Sequence, residues 1–136
     1  MTKTPATWNH FTISEFACPC CGADQIEHLL IELLDKARSR TQIPFIITSG
    51  FRCPDHNRFV GGSPTSSHTL GLAADIQCHS PSDRFEIIRA LISVGFRRII
   101  VYSDRPSIHV DIDLRKAHPL ILIGGHDTTK PFQPHK

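Results

Sequence analysis

The most constraining feature of this chain is a short alternation near its C-terminal end, where Ile108, Val110 and Ile112 interleave with Ser107, His109, Asp111 and Asp113. A period of two belongs to a β-strand that packs one face inward and presents the other. The inward face here is apolar, and the presented face carries an imidazole and carboxylates. His109 can therefore complete a polar site with a neighbouring strand, and Leu72 to Gln77, which ends a segment containing His68 and Asp75, is the natural partner.

The remaining elements follow from local patterns. Ile26, Leu29, Leu30, Leu33, Leu34 and Ala37 recur at helical spacing, with Asp24 and Glu27 placed as an acidic capping box and Ile43-Pro44 as the stop. Phe45 to Ser49 reads as a strand running into the loop Gly50-Phe51-Arg52-Cys53-Pro54, and Pro54 to Val60 as a helical turn closed by Gly61-Gly62. Ser80 is an N-cap with Pro81 at the first helical position, and Phe85, Ile88, Leu91 and Ile92 give that helix its apolar face up to Gly95. Arg98 to Tyr102 and Ser107 to Asp113 form a hairpin around Ser103 to Pro106, and Leu120 to Ile123 supplies an edge strand. The expected fold is α+β, a small single domain with a largely antiparallel sheet flanked by helices.

With 136 residues the chain has room for one domain. Its core is expected over about residues 11–123, with 124–136 as a flexible tail in which His126 and His135 are solvated, as is His118 just before it. A net charge of +2 with scattered Lys and Arg argues against a nucleic-acid groove. No apolar run is long enough to span a bilayer, and the N-terminus lacks a signal-peptide pattern, so action outside the cytoplasm would require delivery by other means. The oligomeric state is open, with a monomer as the default.

The central segment Ser66-Ser67-His68-Thr69-Leu70-Gly71-Leu72-Ala73-Ala74-Asp75 places a His at the end of a loop, a Gly where the backbone turns, and an Asp on the following strand. With His109 these give two imidazole nitrogens and one carboxylate oxygen. That donor set suits zinc, and three protein ligands leave a fourth position for water. His10, His28, His56 and His79 read as ordinary structural histidines.

The stretch Ser66-x-His68-x-x-Gly71-x-Ala73-x-Asp75 followed by His109-x-Asp111 resembles the zinc D-Ala-D-Ala carboxypeptidases and murein endopeptidases of the Hedgehog-type fold. Ser49-Gly50-Phe51-Arg52-Cys53-Pro54-Asp55-His56-Asn57 and Val60-Gly61-Gly62 are similar to short bacterial and phage-encoded members, and the likeness runs from about Phe11 to Asp113. The resemblance implies Zn2+ held by His68, Asp75 and His109, and substrate groups held by Arg52 and Ser66. It also implies peptidoglycan stem peptides containing D-alanine as the substrate. A planar guanidinium beside a metal is independently a natural clamp for a carboxylate or developing oxyanion.

Several family members carry an acidic residue three positions before the last zinc-binding His, or another His two before it; here those positions are Pro106 and Ser107. The general base is then Asp104, in the turn, or Asp111, on the His109 face, with Asp104 preferred and Asp111 free to orient a ligand instead. Two other readings remain open: a zinc-containing module that grips peptidoglycan without cutting it, and a small zinc-knuckle interaction protein. The latter rests on Cys18-Pro19-Cys20-Cys21-Gly22, whose Cys-x-x-Cys-Gly spacing could join Cys53 around a structural zinc. No fourth ligand is evident from spacing, so buried free thiols are the simpler expectation, with Cys78 as a core residue. Asp113 is expected to be solvated.

Overall fold

The computed structural model describes residues 7–124. A five-stranded sheet runs in the order β1-β2-β4-β3-β5, with β1 at Ile47–Ser49, β2 at Ala73–Gln77, β3 at Arg98–Tyr102, β4 at Ser107–Asp111 and β5 at Leu120–Gly124. Every pairing is antiparallel except β3 with β5. The helices are α1 at His28–Arg38, α2 at Pro54–Phe59 and α3 at Pro81–Ser93, joined by 3₁₀ turns at Ile13–Phe16 and Ser67–Leu70. This is the expected α+β domain with the expected hairpin, although β1 is shorter than Phe45 to Ser49. Of the expected tail, Gly124 closes β5, while His126, His135 and Lys130 to Lys136 lie outside the described residues.

One face of the sheet is apolar. Ala74 and Ile76 of β2, Ile99 of β3, and Ile108 and Val110 of β4 are buried against Leu30, Ile31, Leu34 and Ala37 of α1 and Ile87, Ala90 and Leu91 of α3. Burying the Ile, Leu and Val side chains contributes about 1.5–3 kcal/mol each, so the core fixes which way each strand faces. The alternate residues, Asp75, Arg98, Tyr102, His109 and Asp111, thereby share the opposite face.

Two helix expectations change. The Asp24 and Glu27 capping box does not form: α1 begins at His28 with Glu27 as N-cap and no side-chain cap. The Glu27 amide is taken instead by the carbonyl of Gly71 at 2.9 Å, a contact from a distant segment. In α3 the Ser80 cap and Pro81 hold, but Phe85 and Ile92 are exposed, and Ile87, Ala90 and Leu91 do the packing. Cys78 is buried in the core as expected; Cys20 and Cys21, however, are exposed, against the expectation of buried thiols.

Asp113 is not solvated. It is buried, accepts a hydrogen bond from Ser67 Oγ at 2.8 Å, and pairs with Arg115 at 2.8 Å. The Arg115 guanidinium, assisted by Ser67, holds its carboxyl well below the usual carboxylate range against the opposing effect of desolvation. Asp113 thus clamps the loop carrying His68 to the end of β4.

Gly71 has φ +71°, and a Cβ there would lie 2.1 Å from the Gln25 carbonyl oxygen. The turn between His68 and β2 therefore has no room for a side chain. Gly71→Ala is expected to destabilise the fold by about 2 kcal/mol or more, from the left-handed backbone and the clash together. Urea unfolding of the variant checks this, and a change within about 0.5 kcal/mol, the usual range for surface substitutions, contradicts it.

Candidate metal centre

The register of β2 against β4 sets Asp75 directly opposite His109 and Ala73 opposite Asp111. Ala73 keeps the face open beside Asp75, and His68 enters from the preceding turn. The two imidazoles converge on one carboxylate oxygen: Asp75 Oδ1 lies 3.3 Å from His68 Nε2 and 3.1 Å from His109 Nδ1. The rings meet edge to face with centroids 5.2 Å apart. His68, Asp75 and His109 each offer a ligand atom within 4.8 Å of the others, a group that could hold a metal ion.

The outward nitrogens are engaged from behind. His68 Nδ1 is 2.8 Å from the carbonyl oxygen of Gly50, so it carries the proton and leaves Nε2 as the donor toward the centre. His109 Nε2 is 2.8 Å from Asp111 Oδ2, which also accepts from Arg98 Nε at 3.0 Å, while Asp111 Oδ1 accepts from the Asp113 amide at 3.0 Å. A carboxylate behind a ligating imidazole fixes its ring and raises its basicity.

Burial alone would raise the Asp75 pKa, but the hydrogen bonds and charges of His109 and His68 outweigh it and hold the carboxyl well below its ordinary range. For His109, burial favours the neutral ring, and the hydrogen bonds to Asp111 and Asp75 overcome this and raise its pKa. Two imidazole nitrogens and a carboxylate oxygen of depressed pKa are the donor chemistry that zinc takes.

Arg52 is held on the rim. Its Nε donates to Ser49 Oγ at 3.0 Å, one terminal nitrogen to Asn57 Oδ1 at 3.3 Å, and the other approaches Asp75 Oδ2 at 3.4 Å. Those bonds use three of five N–H groups, leaving donors for a ligand. Ser66 is the N-cap of the Ser67–Leu70 turn, its Oγ accepting from the His68 amide at 3.2 Å, so its hydroxyl proton remains available. Asp104 sits in the β3–β4 turn, 3.4 Å from Arg105, with its side chain 30% exposed. It does not join the His68, Asp75 and His109 group.

Sequence reasoning passed over Gly50, Asn57, Arg98 and Tyr102. Tyr102 shares the site face of β3, with the Arg105 guanidinium 4.1 Å above its ring. Burial, and then the charge of Asp75, raise its pKa. Arg98 and Tyr102 were legible in principle, since the same alternation that marks β4 puts both on the face that carries His109.

The His–Asp–His cluster, on the polar face of a mostly antiparallel sheet and beside a fixed arginine, is a group that could hold a metal ion. Residues 9–111 match the family model described as Peptidase M15, and the chain belongs to that family of D-Ala-D-Ala carboxypeptidase-like zinc peptidases. The family supports a peptidase acting on peptidoglycan-derived substrates. A search of curated proteins found no match. Among the described residues no helix is long and apolar enough to cross a membrane.

The raised pKa of His109 would make any metal binding at this cluster pH-dependent. Below that pKa the ring holds a proton that a metal must displace, whereas Asp75 stays ionised. Zinc affinity at this centre is therefore expected to fall, with proton release, as pH is lowered from about 8 to about 6. Zinc titration followed at the His109 ring resonances measures it; an affinity that does not change over this range contradicts the assignment.

Proposed function

We propose that this chain is a zinc-dependent peptidase that hydrolyses D-amino-acid-containing peptide bonds of peptidoglycan, as a D-Ala-D-Ala carboxypeptidase or a murein endopeptidase. The observation that carries the proposal is the convergence of His68 Nε2 and His109 Nδ1 on Asp75 Oδ1 in a chain of the Peptidase M15 family. His68, Asp75 and His109 would hold the zinc ion, which when bound would supply Lewis-acid chemistry at the scissile carbonyl.

The chain's own residues do the rest. Arg52, braced by Ser49, Asn57 and Asp75, turns its free N–H groups toward a substrate carboxylate or the developing oxyanion. Ser66 donates its hydroxyl proton to a substrate carbonyl. Asp111 orients His109 and does not accept a proton from water, because its two oxygens are occupied by His109, Arg98 and the Asp113 amide. Asp104, partly exposed in the turn, is the carboxylate that takes the proton.

Asp104→Asn is expected to keep zinc and fold and to lose about 10²- to 10⁴-fold in turnover of a D-alanine-containing peptide. Asp111→Asn should weaken zinc binding and turnover together, by about 10- to 100-fold. The reverse pattern transfers the base to Asp111, and full activity in both removes a carboxylate base altogether. Arg52→Lys should retain zinc with a large loss of activity, because the planar fork is gone. Mass spectrometry of digested peptidoglycan identifies the bond cut; intact muropeptides bound to zinc-loaded protein would identify a binding module instead.

A further inference from the structure

The Peptidase M15 match and the His–Asp–His cluster leave the cysteines unused. Cys18, Cys20, Cys21 and Cys53 are all free thiols, and their sulfurs all lie within 4.8 Å of one another. The distances are 3.8 Å between Cys18 and Cys20, 3.7 Å between Cys18 and Cys53, and 3.3 Å between Cys20 and Cys53. A tetrahedron with Zn–S bonds of about 2.3 Å has edges of about 3.8 Å, whereas a disulfide brings its sulfurs to about 2.05 Å. The spacing fits four ligands around one ion.

The backbone is shaped for the same purpose. Cys18 to Ala23 folds back on itself, with the Gly22 amide donating to the Cys18 carbonyl at 2.8 Å and the Cys18 amide to that of Ala23 at 2.7 Å. Gly22, at φ +75°, makes this turn possible. Amides point at the sulfurs as well: the Cys53 N–H donates to Cys18 Sγ at 3.5 Å and the His56 N–H to Cys53 Sγ at 3.4 Å. Such donors offset the charge that four thiolates would gather around a divalent ion. Cys20, which a Cys-x-x-Cys reading passes over, supplies the fourth sulfur.

We propose that Cys18, Cys20, Cys21 and Cys53 form a second metal centre, a closed tetrathiolate zinc site that fastens the N-terminal knuckle to the Arg52 loop. With four protein ligands there is no open position, so the centre is structural. Cys53 directly follows Arg52, and the neighbouring Phe51 amide is bonded to the Phe16 carbonyl at 2.8 Å. The centre thus secures the loop that presents Arg52 without contributing an atom to the His68, Asp75 and His109 cluster. It stands independently of the proposed peptidase activity.

The test is metal content and cobalt spectroscopy of the full chain, purified under reducing conditions. Wild type should carry about two equivalents of zinc, His109→Ala about one, and Cys20→Ser with Cys21→Ser about one. Cobalt-substituted wild type and His109→Ala should both show thiolate-to-cobalt charge transfer and the intense visible bands of a tetrahedral thiolate complex. If the paired cysteine variant fails to fold, those two cobalt spectra still decide. Absence of thiolate charge transfer in both, or a Cys20–Cys53 disulfide in the reduced preparation, overturns the second centre. Failure of the peptidase reading would instead appear as unchanged metal content in His109→Ala, with the thiolate spectrum intact.

Discussion

The pairing of β2 with β4 is the constraint on which the site depends. Asp75 faces His109 because Ala74, Ile76, Ile108 and Val110 are buried on the other side of the same two strands. A slip of one residue would turn every side chain over, placing a carboxylate and an imidazole in the core and exposing the aliphatic row. Hydrophobic burial, which knows nothing of metal chemistry, therefore sets the register that brings two of the three polar groups together. The third arrives by a turn whose glycine cannot carry a side chain.

Around that pair each acidic side chain is held by two or more partners. Asp75 is shared among His68, His109 and Arg52, while Asp111 is locked between His109 and Arg98 and Asp113 between Ser67 and Arg115. Among the described residues no buried side-chain nitrogen or oxygen is left without a partner. A satisfied network of this kind holds its members rigidly, since moving one strands another in a medium of low dielectric. The cost of assembling the centre is thus met largely by folding, before any ligand arrives.

Much of this was legible in the sequence where the signal was local. The alternation from Ser107 to Asp113 marks β4 and its two faces, Ser80-Pro81 marks the start of α3, and the hairpin follows from two short strands and a turn. What local patterns missed was decided by distant contacts. Glu27 cannot complete a capping box with Asp24 because its amide belongs to Gly71. Phe85 and Ile92 lie on a helical stripe that the sheet does not cover, and periodicity alone does not choose between overlapping stripes. Asp113 looked like a strand-end surface residue, but it is buried and bonded to Ser67, 46 positions away in the chain. The Cys-x-x-Cys spacing anticipates the junction of the knuckle with Cys53, but it skips Cys20, the fourth sulfur beside it.

Gly50 has a role larger than its size. Its carbonyl selects the tautomer of His68, and its α-carbon packs so tightly on Phe16 that a Cβ would come within 2.6 Å of the Phe16 backbone. The Ile13–Phe16 turn, which holds no candidate ligand, is consequently part of what orients the imidazole. The His-Asp-His motif is therefore not portable: grafting Ser66 to Asp75 and the His109 strand onto another sheet would carry over the donor atoms but not the floor beneath them. Relatives that diverge in this N-terminal turn would have to rebuild that floor from other residues, so sequence drift near Phe16 and Gly50 should be coupled even though Phe16 is wholly buried and Gly50 has no side chain.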